Sequence, residues 1–230
     1  MSMFESFLRG ISQKPTFKWE HYFPIYETHL NKYRNLDVTL FEIGVLGGGS
    51  LEMWRQFLGP RATIVGIDID PSCKEYVGHG IEIEIGDQSD ADFISRVISK
   101  YGNPDIVIDD GSHISSDIQS SLNLLLPAMP KNSTYLIEDC HTLFHAAWGG
   151  NSEATGTLLD WVRNQFNVLH RHYIDPDADS GSLAVTGLHV YDSVVVLDIG
   201  FSKKFKAFQI AAASPILVAQ ELSPEDFTQL

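Results

Sequence analysis

Ile106 Val107 Ile108 Asp109 Asp110 Gly111 Ser112 His113 is an apolar run that opens into two carboxylates, a glycine and an imidazole. A short continuous apolar stretch closed by turn residues marks a strand buried on both faces of a parallel sheet. A second one, Tyr135 Leu136 Ile137, runs into Glu138 Asp139, with Glu138 28 residues after Asp110. Adjacent strands lie about 4.8 Å apart. If these two are neighbours, three or four carboxylates share one sheet edge and raise one another's pKa unless positive charge sits among them. A hard divalent cation of the magnesium type meets that need.

Outward from this pair, apolar runs alternate with amphipathic stretches. Val38 to Ile43, Thr63 to Ile67, Ile81 to Ile85, Asp105 to Ile108 and Ser133 to Ile137 read as strands with helical patterns between them. Such crossovers predict a doubly wound, mostly parallel α/β sheet with right-handed connections and ligands at the carboxyl ends of the strands. The helix after His113 starts at Ser115 and Ser116, buries Ile118, Leu122 and Leu125, and ends near Pro127 and Pro130. Leu183 to Tyr191 and Val194 to Ile199, joined by Asp192 Ser193, predict an antiparallel hairpin that brings the sheet to seven strands.

Trp19, Phe23, Tyr26 and Leu30 recur at helical spacing, so Thr16 to about Asn35 reads as one or two helices, kinked or broken at Pro24. We expect a single domain over 1–230, with an N-terminal helical cap over about 1–36. The stretch 141–182 is rich in Gly, Asn, Asp and His, carries one helix from Thr157 to Leu169, and reads as a substrate lid. The tail 202–230 has a mildly apolar middle, Ile210 to Val218, and no assigned element.

Composition narrows the function. With 230 residues and 43% hydrophobic content the chain can bury a full core. A net charge of −14, with only Lys203, Lys204 and Lys206 clustered, argues against a grip on nucleic-acid phosphates. Cys73 and Cys140 are too few for a disulfide framework and lack zinc spacing, so both read as reduced thiols. Neither a signal-type N-terminus nor an apolar run of about 18 residues is present, which predicts a cytoplasmic protein without a membrane partner.

The first strand ends in Glu42 Ile43 Gly44 Val45 Leu46 Gly47 Gly48 Gly49 Ser50, a turn whose glycines let the backbone approach a ligand at a helix N-terminus. Leu46 breaks the dinucleotide fingerprint, and Glu42 would repel a diphosphate. A carboxylate there suits a ligand with an ammonium and a sulfonium, such as S-adenosylmethionine. Asp68, 24 residues after Gly44, is placed to accept from ribose hydroxyls. Asp87 is placed to accept from an adenine amino group, and Gln88 to pack beside the ring.

Glu42 Ile43 Gly44, Gly48 Gly49 Ser50 Leu51, Met53 Trp54, Gly66 Ile67 Asp68, Asp109 to His113 and Ile137 Glu138 Asp139 together resemble the macrocin and mycinamicin type of sugar O-methyltransferase. The likeness covers about residues 20 to 150. It implies a class I methyltransferase fold, S-adenosylmethionine and magnesium as cofactors, and an extra N-terminal domain in longer family members that this sequence lacks. It implies Asp110, Glu138 and Asp139 as metal ligands and His113 as general base. The cofactor-binding set is Glu42, Gly44, Gly48, Ser50, Asp68, Asp87, Gln88 and Asp109.

A sugar hydroxyl is a poor nucleophile because it keeps its proton far above neutral pH. A metal that binds it lowers that pKa, and two hydroxyls on one ion also fix the attacking oxygen. The expected partner is a small hydroxylated molecule, a glycoside or polyol, with a homo-oligomer compatible. Other readings keep the fold: a hydroxylase-like use of the metal, or an inactive cofactor-binding subunit. Asp110 and His113 can also be read as caps of the following helix, and Glu138 and Asp139 as solvated loop acids. Tyr22, Tyr26 and Glu27 either reach over the cofactor or pack as a helix face.

Overall fold

The computed structural model describes residues 2–9, 14–151, 157–175, 183–201, 207–211 and 214–218. Two helices, α1 (Met3–Leu8) and α2 (Tyr22–Leu30), precede β1 (Thr39–Ile43). Then come α3 (Gly49–Leu58), β2 (Thr63–Asp68), β3 (Ile81–Ile85), α4 (Ala91–Tyr101), β4 (Ile106–Asp109), α5 (Ser115–Leu125) and β5 (Ser133–Ile137). The insertion holds α6 (Leu158–Leu169) and the short α7 (Arg171–Ile174), and β6 (Leu183–Tyr191) and β7 (Val194–Phe201) form the hairpin. A separate antiparallel pair, β8 (Ala207–Ala211) and β9 (Ser214–Val218), occupies the tail that the sequence pattern left unassigned.

The main sheet has seven strands in the order β3-β2-β1-β4-β5-β7-β6. β1 to β5 run parallel, and β7 lies antiparallel between β5 and β6. The strand order reverses between β1 and β4, the switch point at which ligands bind in such sheets. Buried side chains cover both faces. Tyr22, Tyr26, Leu30, Trp54 and Leu58 from α2 and α3 pack with Leu40, Ile64 and Ile108 on one face. Ile94, Ile118, Leu122, Leu125 and Val162 from α4, α5 and α6 pack with Phe41, Val65 and Tyr135 on the other.

The expected strands and hairpin are present, and so is the insertion helix, where the Thr157 hydroxyl accepts from the Asp160 amide. The N-terminal expectation needs correction. Residues 14–20 are not helical, Trp19 is 46% exposed, and α2 begins only at Tyr22. Pro24 neither kinks nor breaks it, because it falls in the first turn, where its missing N–H has no intrahelical partner to lose. Among the described residues, no helix is long and apolar enough to cross a membrane.

Candidate active site

Strand alternation sorts the acids at the sheet edge. Successive side chains point to opposite faces, so Glu42, Asp110 and Glu138 share the face of Leu40, Ile108 and Leu136, while Asp109 turns to that of Val107 and Tyr135. β4 and β5 are neighbours with Asp109 opposite Ile137, which sets Asp110 beside Glu138 as the sequence reading required. Gly44 has φ +91°, and a Cβ there would lie 2.0 Å from the Asp110 carbonyl oxygen. Only glycine lets the β1 turn lie against the β4 tip.

The positive charge that these acids require comes from a residue the sequence reading passed over. Lys18 Nζ donates to Asp110 Oδ2 at 2.6 Å and Glu138 Oε2 at 2.8 Å, and lies 3.9 Å from Glu42 Oε1, its side chain 2% exposed. Burial works against the ammonium, yet Glu138, Asp110 and Glu42 outweigh it and hold Lys18 above its ordinary range. Burial likewise pushes the Glu138 carboxyl up, against the pull of Lys18. Tyr26 donates to Glu138 Oε1 at 2.7 Å and Tyr22 to Asp139 Oδ1 at 2.6 Å. Burial, reinforced by the neighbouring acid, raises both phenols, so they stay neutral donors. The two tyrosines are one helical turn apart on α2, a spacing visible in the sequence; Lys18 carried no local signal beyond its charge.

His113 and Asp139 both adopt the left-handed region, at φ +58° and +53°. Non-glycine residues held there concentrate at functional sites. His113 Nε2 faces the acids, 3.6 Å from Asp139 Oδ2 and 3.9 Å from Asp110 Oδ1, while its Nδ1 is buried without a hydrogen-bond partner. Asp110, His113 and Asp139 bring ligand atoms within 4.8 Å of one another. Neither Asp110 nor His113 caps α5, whose N-cap is Ile114 with no side-chain bond. Glu138 is 1% exposed, which sets aside its reading as a solvated loop acid.

On the β1–β3 side the acids are engaged with the fold. Glu42 is fully buried and accepts from Ser50 Oγ and Trp54 Nε1, each at 2.9 Å; burial raises its pKa to about 7. Gly48, at φ +75°, caps α3 and lies against the Tyr76 ring. Asp68 Oδ2 accepts from the amides of Val45 and Leu46, and Oδ1 from that of Asp70. Burial opposes its ionisation, but these amides outweigh it and hold the carboxyl low. Asp87 Oδ1 closes a turn on the Ser89 amide and hydroxyl at 2.8 and 2.7 Å.

Two further residues of the expected cofactor set, Asp109 and Gln88, are engaged with the fold. Asp109 is 1% exposed, with Oδ2 accepting from Tyr135 at 2.7 Å and Oδ1 from Gln88 at 3.3 Å, and burial raises its pKa to about 7. Strand parity sends it to the sheet face opposite that of Glu42, Asp110 and Glu138. Gln88, also buried, donates to Ser121 Oγ at 2.8 Å and accepts from the Ser112 amide at 3.0 Å, tying β3 to α5 and the β4 loop. Among the described residues, His29, His189 and Asp198 form a second group with metal-capable spacing. Its atoms already have partners: His189 Nε2 meets Asp198 at 2.8 Å, His29 Nε2 meets the Tyr191 hydroxyl at 2.9 Å, and Lys32 lies 3.6 Å from Asp198.

The sequence is 37% identical over 206 residues to mycinamicin VI 2''-O-methyltransferase of Micromonospora griseorubida, covering 81% of this chain and 50% of that one. It is 34% identical over 205 residues to demethylmacrocin O-methyltransferase of Streptomyces fradiae, with 81% and 51% covered. The fold superposes on the MycE methyltransferase from the mycinamycin biosynthetic pathway, solved in complex with Mg and SAH. The TM-score is 0.76 at 34% identity, over 87% of this chain and 55% of that one. This chain is a homologue of the macrocin and mycinamicin type of sugar O-methyltransferase. Its sheet is that of a class I methyltransferase, and no family model matches the sequence. The homologue spans about half the length of the curated relatives it matches.

Proposed function

We propose that this chain catalyses magnesium-dependent transfer of a methyl group from S-adenosylmethionine to a hydroxyl of a small molecule, a sugar moiety or polyol of a natural product. The reading rests on the seat made by Asp110, Glu138 and Asp139 beside His113: carboxylates on adjacent strand tips, two of them already gathered round a cation, with an imidazole at the rim. Hard oxygen donors of this kind suit magnesium, and the Lys18 ammonium is a stand-in for its charge. When bound, magnesium would lower the pKa of the acceptor hydroxyl and S-adenosylmethionine would supply the electrophilic methyl group.

The chain's own residues do the rest. Asp110, Glu138 and Asp139 hold the ion, and the Tyr22 and Tyr26 hydroxyls orient two of those carboxylates. Gly44, Gly48, Ser50 and Glu42 shape the turn that receives the cofactor's methionyl end. Asp68, whose carboxylate is held by the amides of Val45, Leu46 and Asp70, accepts from a ribose hydroxyl, and Asp87 stands past the β3 tip for the adenine. His113 accepts the acceptor's proton at Nε2, the nitrogen that faces the acids. A net charge of −14 supports a small-molecule acceptor rather than a nucleic acid. The relatives, named for methyl transfer to glycosylated natural products, support the same acceptor class.

The test is incubation with methyl-labelled S-adenosylmethionine, Mg2+ and a panel of glycosides bearing vicinal hydroxyls. The expected result is a labelled methyl ether whose formation stops with chelator and resumes with Mg2+. Transfer that ignores chelator, or none to any hydroxyl, would overturn the proposal.

A further inference from the structure

Lys18 does more than balance charge, because it stands where two of the three proposed metal ligands converge. An ion held by Asp110 and Glu138 would draw on the same two carboxylates that the ammonium bonds at 2.6 and 2.8 Å. Ammonium and metal cannot both occupy that position. Three carboxylates, from Asp110, Glu138 and Glu42, face a single ammonium there, so a dication at the same point has the stronger Coulomb attraction to the cluster.

The segment that delivers the lysine is irregular and packs against the glycine turn. Residues 14–20 have no helix or strand, and around Lys18 the side chains alternate: Phe17 is 72% exposed, Lys18 points inward, and Trp19 is 46% exposed. Pro15 accepts from the Gly49 amide at 3.3 Å, and Lys14 pairs with Glu52 at 3.1 Å, so the segment crosses the glycine turn on its way to the acids. With Phe17 largely exposed and Trp19 about half exposed, releasing Lys18 uncovers less apolar surface than releasing a core segment would, the property of segments that open locally.

We propose that residues 14–20 form a strap whose Lys18 occupies the metal seat in the metal-free protein, and that a divalent ion displaces the lysine and lifts the strap from the sheet edge. This rests on the metal role given above to Asp110, Glu138 and Asp139. The metal-free protein then keeps its gathered acids charge-balanced, and access for the acceptor is tied to metal loading. A ligand that binds only the strap-open form has its apparent affinity reduced by the fraction of molecules in that form.

The experiment reads Lys18 directly. Wild-type protein is acetylated with an amine-reactive ester, with and without saturating Mn2+, and Lys18 labelling is quantified by peptide mass spectrometry. Mn2+ binding is followed in parallel by electron paramagnetic resonance. We expect Lys18 to be nearly unreactive without metal and to label at least about tenfold faster with it. Mn2+ binding with Lys18 still protected overturns the strap and leaves the metal reading standing. No Mn2+ binding overturns both. Lys18→Met should bind Mn2+ about tenfold more tightly than wild type if the strap is closed in about nine molecules of ten; unchanged or weaker binding overturns the proposal. The wild-type labelling stands on its own if that variant fails to fold.

Discussion

The two halves of the ligand edge treat their acids differently. At the β1, β2 and β3 tips, Glu42, Asp68 and Asp87 are engaged with Ser50 and Trp54, with the amides after Gly44, and with Ser89. At the β4 and β5 tips, Asp110, Glu138 and Asp139 meet a lysine, two phenols and an imidazole that reach them from other parts of the chain. The first half uses carboxylates to shape a turn, and the second uses them to concentrate charge. Binding a nucleoside needs shape, whereas acidifying a hydroxyl needs charge.

The sharpest way to break this division is kinetic. His113→Ala should lower turnover by about 10² to 10⁴ while leaving affinity for S-adenosylhomocysteine nearly unchanged. Asp68→Asn should do the reverse. Stopped-time assays with calorimetric titration check both, and equal loss of cofactor in the two variants would erase the distinction.

The next largest effect falls where the halves touch. Gly44→Ala puts a Cβ into the Asp110 carbonyl at a φ of +91°. It should cost about 2–4 kcal/mol in urea unfolding, and a loss below 1 kcal/mol would mean that the halves are not in contact. A smaller difference separates the halves themselves. Tyr26→Phe removes a donor from buried Glu138 and should cost about 1–3 kcal/mol, whereas Asp87→Ala, at an exposed turn, should stay near about 0.5 kcal/mol. Similar costs at both sites would show that the β1–β3 half is as tightly built as the β4–β5 half.

The smallest effect is a pH dependence away from both halves. Burial, helped by nearby His189, lowers the pKa of His29. The unfolded chain therefore takes up this proton first, and the contribution of His29 to stability is present above pH 6.5 and lost as pH falls through the lowered value. His29→Gln should flatten that acid-side loss in urea titrations run across pH. An unchanged slope would assign the loss to other groups.

Much of this was legible in the sequence because it is periodic. Unbroken apolar runs gave the five parallel strands, and the acids that end them located the site. The same period of two places Asp109 opposite Asp110, so its burial follows from parity once β4 is fixed. What the sequence could not supply was distance. Lys18 is 92 residues from Asp110 and 120 from Glu138, and nothing local distinguishes it from a surface lysine. Its non-helical segment was hidden behind apolar residues at helical spacing, of which only Phe23, Tyr26 and Leu30 belong to α2. Gln88 was also opaque, since its partners Ser112 and Ser121 lie on other elements.

The hairpin turn at Ser193 accepts from Tyr22, 171 residues earlier, and its hydroxyl meets the His141 ring at 2.7 Å. A chain emerging from the ribosome therefore has Asp110 83 residues and Asp139 54 residues before Ser193 of the β6–β7 turn, which steadies the tyrosine beside Asp139. Contacts this remote in sequence close late and slowly. During synthesis, the acid edge is complete in composition well before it is complete in geometry.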